Sequence, residues 1–144
     1  MNRENKMKVH ASCHCGDIKF EGEADPEKVT VCHCTDCQTS TGTAYRTNVP
    51  IPGHSFKLLS GKPAVYIKTT AESGNPRAQT FCPKCGTPLY STTPGDGPKP
   101  SYMVRVGILR ERVQLSPKVQ IWTRSARPWI NSLASVRGHE KGPH

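Results

Sequence analysis

Residues 7–21, MKVHASCHCGDIKFE, decide the fold. Met7, Val9, Ala11 and Cys13 alternate with Lys8, His10 and Ser12, the period of two of a half-buried strand. Ile18, Lys19, Phe20 and Glu21 alternate in the same way, and Cys15-Gly16-Asp17 between the two runs predicts a hairpin turn. A strand–turn–strand unit with two cysteines at its turn suggests a β fold stapled by metal.

Outward from this hairpin, short runs at 29–31, 44–49, 56–59, 64–68, 79–81, 88–91, 102–108 and 118–122 read as further strands. Twelve glycines and thirteen prolines punctuate them. The stretch 92–100, TTPGDGPKP, reads as a loop, 36–41 as one helical turn, and 125–135 as a second short element. The expected fold is therefore mainly β and antiparallel. A length of 144 residues suits one domain, with a core over about 9–130 and a frayed tail at 139–144.

Composition narrows the class. The chain is 34% hydrophobic with a mean hydropathy of -0.59, and its aromatics are spread along its whole length, which favours a packed domain over a disordered one. No apolar run approaches the ~18–20 residues of a membrane span. The polar start at 1–8 lacks the apolar segment of a secretory signal, so a cytoplasmic protein without a membrane partner is expected.

Seven cysteines are an odd number, and in a reducing compartment clustered cysteines usually mean metal. They fall into Cys13-His14-Cys15, Cys32-His33-Cys34-Thr35-Asp36-Cys37 and Cys82-Pro83-Lys84-Cys85-Gly86. In an extended segment Cys13 and Cys15 lie on one face. With Cys82 and Cys85 they complete a closed four-cysteine tetrahedral site of the structural kind. Cys32, Cys34 and Cys37 can surround a second ion but supply no fourth ligand, and three protein ligands with an open position are the pattern of a catalytic zinc site.

Other arrangements of the same trio are closure by a fourth ligand such as His54, reactive thiols with no metal, or closure by one distant cysteine, which strands three ligands elsewhere and explains less. His14 and His33 point away from the sulfurs of their neighbours, so each reads as a surface residue or one lying behind the ligands. Asp36 could orient a ligand or act as a base, although capping the following turn is the commoner task for an aspartate there.

The formal charge is +9, and from 103 to 144 eight Lys/Arg face only Glu111 and Glu140. This balance favours anionic partners without choosing among them. The cations alternate with apolar residues and no aromatic stacking motif is interleaved, so nucleic acid is not the expected partner. The alternative to an enzyme is a non-catalytic zinc module that binds nucleic acid or an acidic protein. A further alternative is a thiol sensor that releases zinc when Cys32, Cys34 and Cys37 are oxidised.

Taken together, the run 13–16 (CHCG), the run 32–42 (CHCTDCQTSTG), Phe56, Gly61 and Tyr66, then Gly74, the run 81–87 (FCPKCGT) and the late Trp129 form a specific pattern. It resembles the glutathione-dependent formaldehyde-activating enzyme family, which also includes centromere protein V-like proteins. The likeness covers about 9–129.

It implies a β-tent of antiparallel sheets built around zinc, with a structural zinc on Cys13, Cys15, Cys82 and Cys85. A second, more labile zinc would lie on Cys32, Cys34 and Cys37. The implied activity is a carbon–sulfur lyase reaction that joins glutathione to formaldehyde as S-(hydroxymethyl)glutathione. Three thiolates outweigh the two charges of Zn²⁺ and weaken it as a Lewis acid, so delivery of the substrate thiol is expected rather than polarisation of the aldehyde. Arg46, Arg77, Arg105 and Lys84 are candidates to hold the carboxylates of glutathione, although each reads first as a solvated surface charge and none is singled out.

Overall fold

The computed structural model describes residues 6–143. Among the described residues there are ten strands and one α-helix, joined by loops and 3-10 turns, so the fold is mainly β as the alternation predicts. A three-stranded antiparallel sheet contains β1 (Met7–Ser12), β2 (Lys19–Ala24) and β5 (Lys57–Ser60) in the order β1-β2-β5. A seven-stranded sheet is built from β3 (Thr30–Cys32), β4 (Arg46–Pro52), β6 (Ala64–Lys68), β7 (Arg77–Phe81), β8 (Pro88–Thr92), β9 (Ser101–Arg105) and β10 (Val119–Ile121). Its order is β10-β3-β4-β9-β8-β7-β6.

The opening hairpin follows its pattern. Val9 and Ala11 on β1 and Phe20 and Ala24 on β2 are buried, while Lys8 and Lys19 face outward. The two sheets share a core of Val9, Phe20, Val49, Ile51, Leu89 and Val104, all buried. Aromatic rings join the layers: Phe56 stacks on Tyr102 at 3.8 Å between centroids, and Phe20 meets Tyr90 edge-on at 5.5 Å. Burying a side chain of this size contributes about 1.5–3 kcal/mol. Close approach of the sheets requires Gly22, because a Cβ there would lie 2.5 Å from Cγ2 of Ile51.

Two departures from the sequence reading have physical causes. The strand expected over 102–108 stops at Arg105 and turns through a 3-10 segment, Val106–Ile108, closed by the Leu109 N–H on the Val106 carbonyl. The turn carries Leu109 into the core, where it bridges to Ala11. The pairing of β10 with β3 is parallel, an exception to the antiparallel rule. That pairing comes from a long return of the chain onto the free side of β3, fixed by Lys118 N–H on Val29 O and His33 N–H on Ile121 O. The short element expected at 125–135 is a kinked 3-10 stretch, Pro128–Ser135.

The loop at 92–100 contains no strand beyond its first residue, Thr92. Residues 139–143 are exposed, and the last residue of the expected tail lies outside the described residues. Among the described residues no helix is long and apolar enough to cross a membrane.

Candidate metal centres

Two cysteine clusters form where strands end. Cys13 follows β1 and Cys15 lies in the hairpin turn; Cys82 follows β7 and Cys85 lies in the knuckle after it. The turn of the knuckle is closed by Gly86 N–H on Cys82 O at 2.8 Å, and Gly86 takes a φ of +78°, a left-handed conformation that glycine adopts freely. Cys13 and Cys15 Sγ are 3.6 Å apart, and Cys15 and Cys82 Sγ are 3.8 Å apart across 67 residues of chain. A tetrahedral zinc with bonds of about 2.3 Å spaces its sulfurs about 3.8 Å from one another. These separations therefore fit such an ion.

Backbone N–H groups donate to two of these sulfurs, while burial and the neighbouring thiols, against a backbone hydrogen bond at Asp17, push Cys15 up to about 12. Ile18 N–H donates to Cys13 Sγ at 3.2 Å and Cys85 N–H to Cys82 Sγ at 3.5 Å. The Thr87 hydroxyl and backbone hydrogen bonds hold Cys85 down to about 5. Lys84, a candidate for substrate carboxylates, instead pairs with Asp17 at 3.0 Å beside this cluster and is exposed.

The second cluster is built by β3 and the helix α1 (Thr35–Thr41). Cys32 ends the strand and Cys37 sits in the first helical turn, both buried. Cys34 is the N-cap, and its Sγ accepts the Cys37 N–H at 3.3 Å. The capping task expected of Asp36 thus belongs to a cysteine. At the other end Gly42 takes a φ of +72° and returns its N–H to Gln38 O, which stops the helix.

The ligand atoms in each cluster lie within 4.8 Å of one another, so each could hold a metal ion. Among the described residues no other Cys, His, Asp or Glu joins either group. His54 lies in the turn after β4, exposed, and does not close the trio. Cys32 donates toward Cys37 and, together with Arg46 and against the cost of burial, pulls Cys37 down to about 5. The thiol of Cys32 is pushed up by the same partner and by burial.

Arg46 and Arg105 are only 7% exposed, which corrects their reading as surface charges. Arg46 Nε donates to Cys37 Sγ at 3.4 Å. Arg105 donates to Asn48 Oδ1 at 2.9 Å and Gln79 Oε1 at 2.5 Å, while its buried Nε has no partner. Burial, then repulsion from Arg46, pushes Arg105 down to about 9, although Cys37 and Cys32 act in its favour. Their positions in the fold explain the burial: both lie on central strands of the large sheet, and β4 pairs with β9.

His14 is exposed, whereas His33 is 1% exposed and bonds Gln120 Oε1 through Nε2 at 2.8 Å. His33 is thus one of the residues behind the ligands, facing away from the trio as alternation requires.

A cleft of about 470 Å³ opens on Cys34. Its walls come from Thr35 and Asp36, from Lys68 to Ser73, and from Trp122 to Ser125. Asp36 bonds the Thr70 hydroxyl at 2.7 Å and Lys68 Nζ at 3.1 Å, and these two contacts hold its carboxyl below its usual range. An ionised carboxylate already occupied twice shapes the wall and is a poor base. Arg124 and Lys68 are the cations of this cleft, and sequence reasoning passed over both. No local pattern marks them, because the wall is assembled from three segments distant in sequence.

The sequence model of the family described as glutathione-dependent formaldehyde-activating enzyme matches residues 8–125. That span takes in all seven cysteines and ends short of Trp129. A search of curated proteins finds no match. The crystal structure of a Rhodobacter sphaeroides protein is similar in fold, with a TM-score of 0.57 and 19% identity; the alignment covers 79% of this chain and 99% of that one.

Proposed function

As the chain belongs to the glutathione-dependent formaldehyde-activating enzyme family, we propose that it is a zinc-dependent carbon–sulfur lyase that adds formaldehyde to glutathione, or removes it. The observation that carries this reading is the trio Cys32, Cys34 and Cys37, joined among the described residues by no fourth Cys, His, Asp or Glu, and bordering a cleft through Cys34. Cys13, Cys15, Cys82 and Cys85 would hold a structural zinc.

Cys32, Cys34 and Cys37 would hold this zinc, which would offer a substrate thiol a position that favours its thiolate form. The protein holds those thiolates through Arg46 and the Cys37 N–H. Arg124 is the cation free to take a carboxylate of glutathione, since Lys68 is engaged by Asp36. Trp122 and residues 70–73 line the same cleft and would flank a bound tripeptide. In the forward direction the thiol gives up its proton, its sulfur bonds the carbonyl carbon, and the aldehyde oxygen takes up a proton. No atom is lost.

The test follows formaldehyde consumption in the presence of glutathione, with zinc-loaded protein and its Cys34→Ser variant. Wild type accelerates the reaction over the uncatalysed rate and Cys34→Ser does not. Equal rates for wild type and buffer, with glutathione and with other small thiols, would sink the reading. In a second arm, Arg124→Ala raises KM for glutathione roughly tenfold, the usual consequence of losing one charge-assisted contact.

A further inference from the structure

We propose that a cleft over the opening hairpin is a second ligand site, one that takes a small organic phosphate, a phosphate monoester with an apolar group attached. It shares no lining residue with the cleft at Cys34, so it stands apart from the functional reading above.

The cleft has a volume of about 690 Å³, a size that suits a small organic ligand. It lies on β1 and β2, between Leu59 of β5 and the segment 107–112. That segment is fixed along the free edge of β1 by the Ala11–Leu109 bridge and by Arg110 N–H on His10 O at 2.9 Å. The walls thus come from opposite edges of the small sheet.

The lining is basic and contains no carboxylate: Lys19, Arg110 and Arg112 contribute to it, with His10 and His14. Among the described residues none of Lys19, Arg110 and Arg112 forms an ion pair. Arg112 donates to the Leu109 carbonyl at 3.2 Å, a neutral acceptor that orients the guanidinium without neutralising it. The two acids that flank His10 are already engaged. Glu111 accepts the His10 N–H and faces Nδ1 of its ring, each at 2.8 Å. Glu21, opposite His10 in the hairpin register, pairs with Lys8 at 3.5 Å.

These partners narrow the chemistry of the ligand. An arginine fork matches the oxygens of a phosphate in pairs, and a phosphate monoester brings about two negative charges where a carboxylate brings one. Because Glu111 takes Nδ1, the His10 ring keeps Nε2 for a ligand. Nε2 can accept the proton of a phosphate monoanion or, once protonated, donate to the dianion; a carboxylate at neutral pH has no proton to share. Leu59, 51% exposed, and the half-buried Ile108 offer apolar surface to the ester group.

The experiment titrates phenyl phosphate into the zinc-loaded full chain by calorimetry at physiological ionic strength, beside inorganic phosphate and benzoate, and follows backbone amide shifts by NMR. Phenyl phosphate is expected to bind about tenfold more tightly than inorganic phosphate, which lacks the ring, or benzoate, which lacks the second charge. The amides of Lys19, Gly107 and Ile108 are expected to shift. Arg110→Gln and Lys19→Gln each weaken binding about tenfold, and Arg110→Lys recovers part of the loss. Lys118→Gln, which removes an exposed cation outside the cleft, changes affinity by less than about twofold.

No binding of phenyl phosphate overturns the proposal. So does equal weakening by Arg110→Gln and Lys118→Gln, because net charge alone would then explain the binding. Inorganic phosphate or benzoate binding as tightly as phenyl phosphate overturns the assignment of an organic phosphate. Cys34→Ser separates this cleft from the metal trio: affinity is expected to hold, and its loss would place the ligand on the zinc and overturn the site.

Discussion

Gln38 donates its side-chain amide to the Ser125 carbonyl at 3.0 Å, across 87 residues of chain, and to the His33 carbonyl at 2.8 Å. One side chain on α1 thereby ties the cysteine loop to the segment that forms the far wall of the cleft. His33 repeats the connection, through its ring to Gln120 and through its N–H to Ile121 O. The position of Arg124 and Trp122 relative to Cys34 depends on these bonds.

Replacing Gln38 by Ala removes two hydrogen bonds and leaves the two carbonyls to find water. A stability loss of about 1–2 kcal/mol is expected in urea unfolding. KM for glutathione rises more than kcat falls, because the wall moves while the cysteine trio stays. A fall in kcat with unchanged KM would contradict this.

The two cysteine clusters differ in what they hold together. Cys85→Ser breaks a link spanning 67 residues or more between hairpin and knuckle, so it is expected to unfold the protein or lower its thermal midpoint steeply. Cys34→Ser cuts a cluster made within six residues, so one metal is lost with little change in midpoint. Metal analysis and calorimetry on both variants check the contrast. Similar midpoints would show that the first site is no staple.

The contact of Gly22 with Ile51 predicts an overpacking cost. Gly22→Ala places a methyl carbon 2.5 Å from Cγ2 of Ile51, and relief requires the sheets to separate or Ile51 to leave its rotamer. Destabilisation of about 1–3 kcal/mol is expected. In an Ile51→Ala background, which lacks Cγ2, the added cost of Gly22→Ala is expected to shrink, as measured by denaturant midpoints.

Glu111 predicts a pH dependence. It is partly buried, which raises its pKa, but the His10 ring and the His10 N–H, each at 2.8 Å, outweigh that and lower it below 4.5. A carboxyl whose pKa is depressed by folding stabilises the native state above the unfolded value, and this stabilisation fades as pH falls through the folded value. At pH 7 wild type is therefore more stable than Glu111→Gln, by roughly 0.5–1 kcal/mol. The difference shrinks as pH falls below the ordinary carboxyl value of 4.5 and vanishes only below the lower folded value, where the side chain is neutral in both states. Urea unfolding at pH 7 and at pH 3.5 reads it directly; a difference that grows on acidification contradicts the assignment.

Local order was written plainly in the chain. Alternation in 7–13 and 18–21 placed Val9, Ala11 and Phe20 inside, because strand period alone assigns a face. Spacing of the seven cysteines gave the division into four and three, because a tetrahedral ion constrains how near its ligands must lie. The tertiary structure decided what periodicity does not encode, namely which distant segments meet. It buried Arg46 and Arg105 on central strands, seated β10 parallel to β3, and built the cleft wall from Lys68, Thr70 and Arg124. Each of these depends on pairing between remote strands, and a side chain's charge says nothing of its depth until that pairing is known.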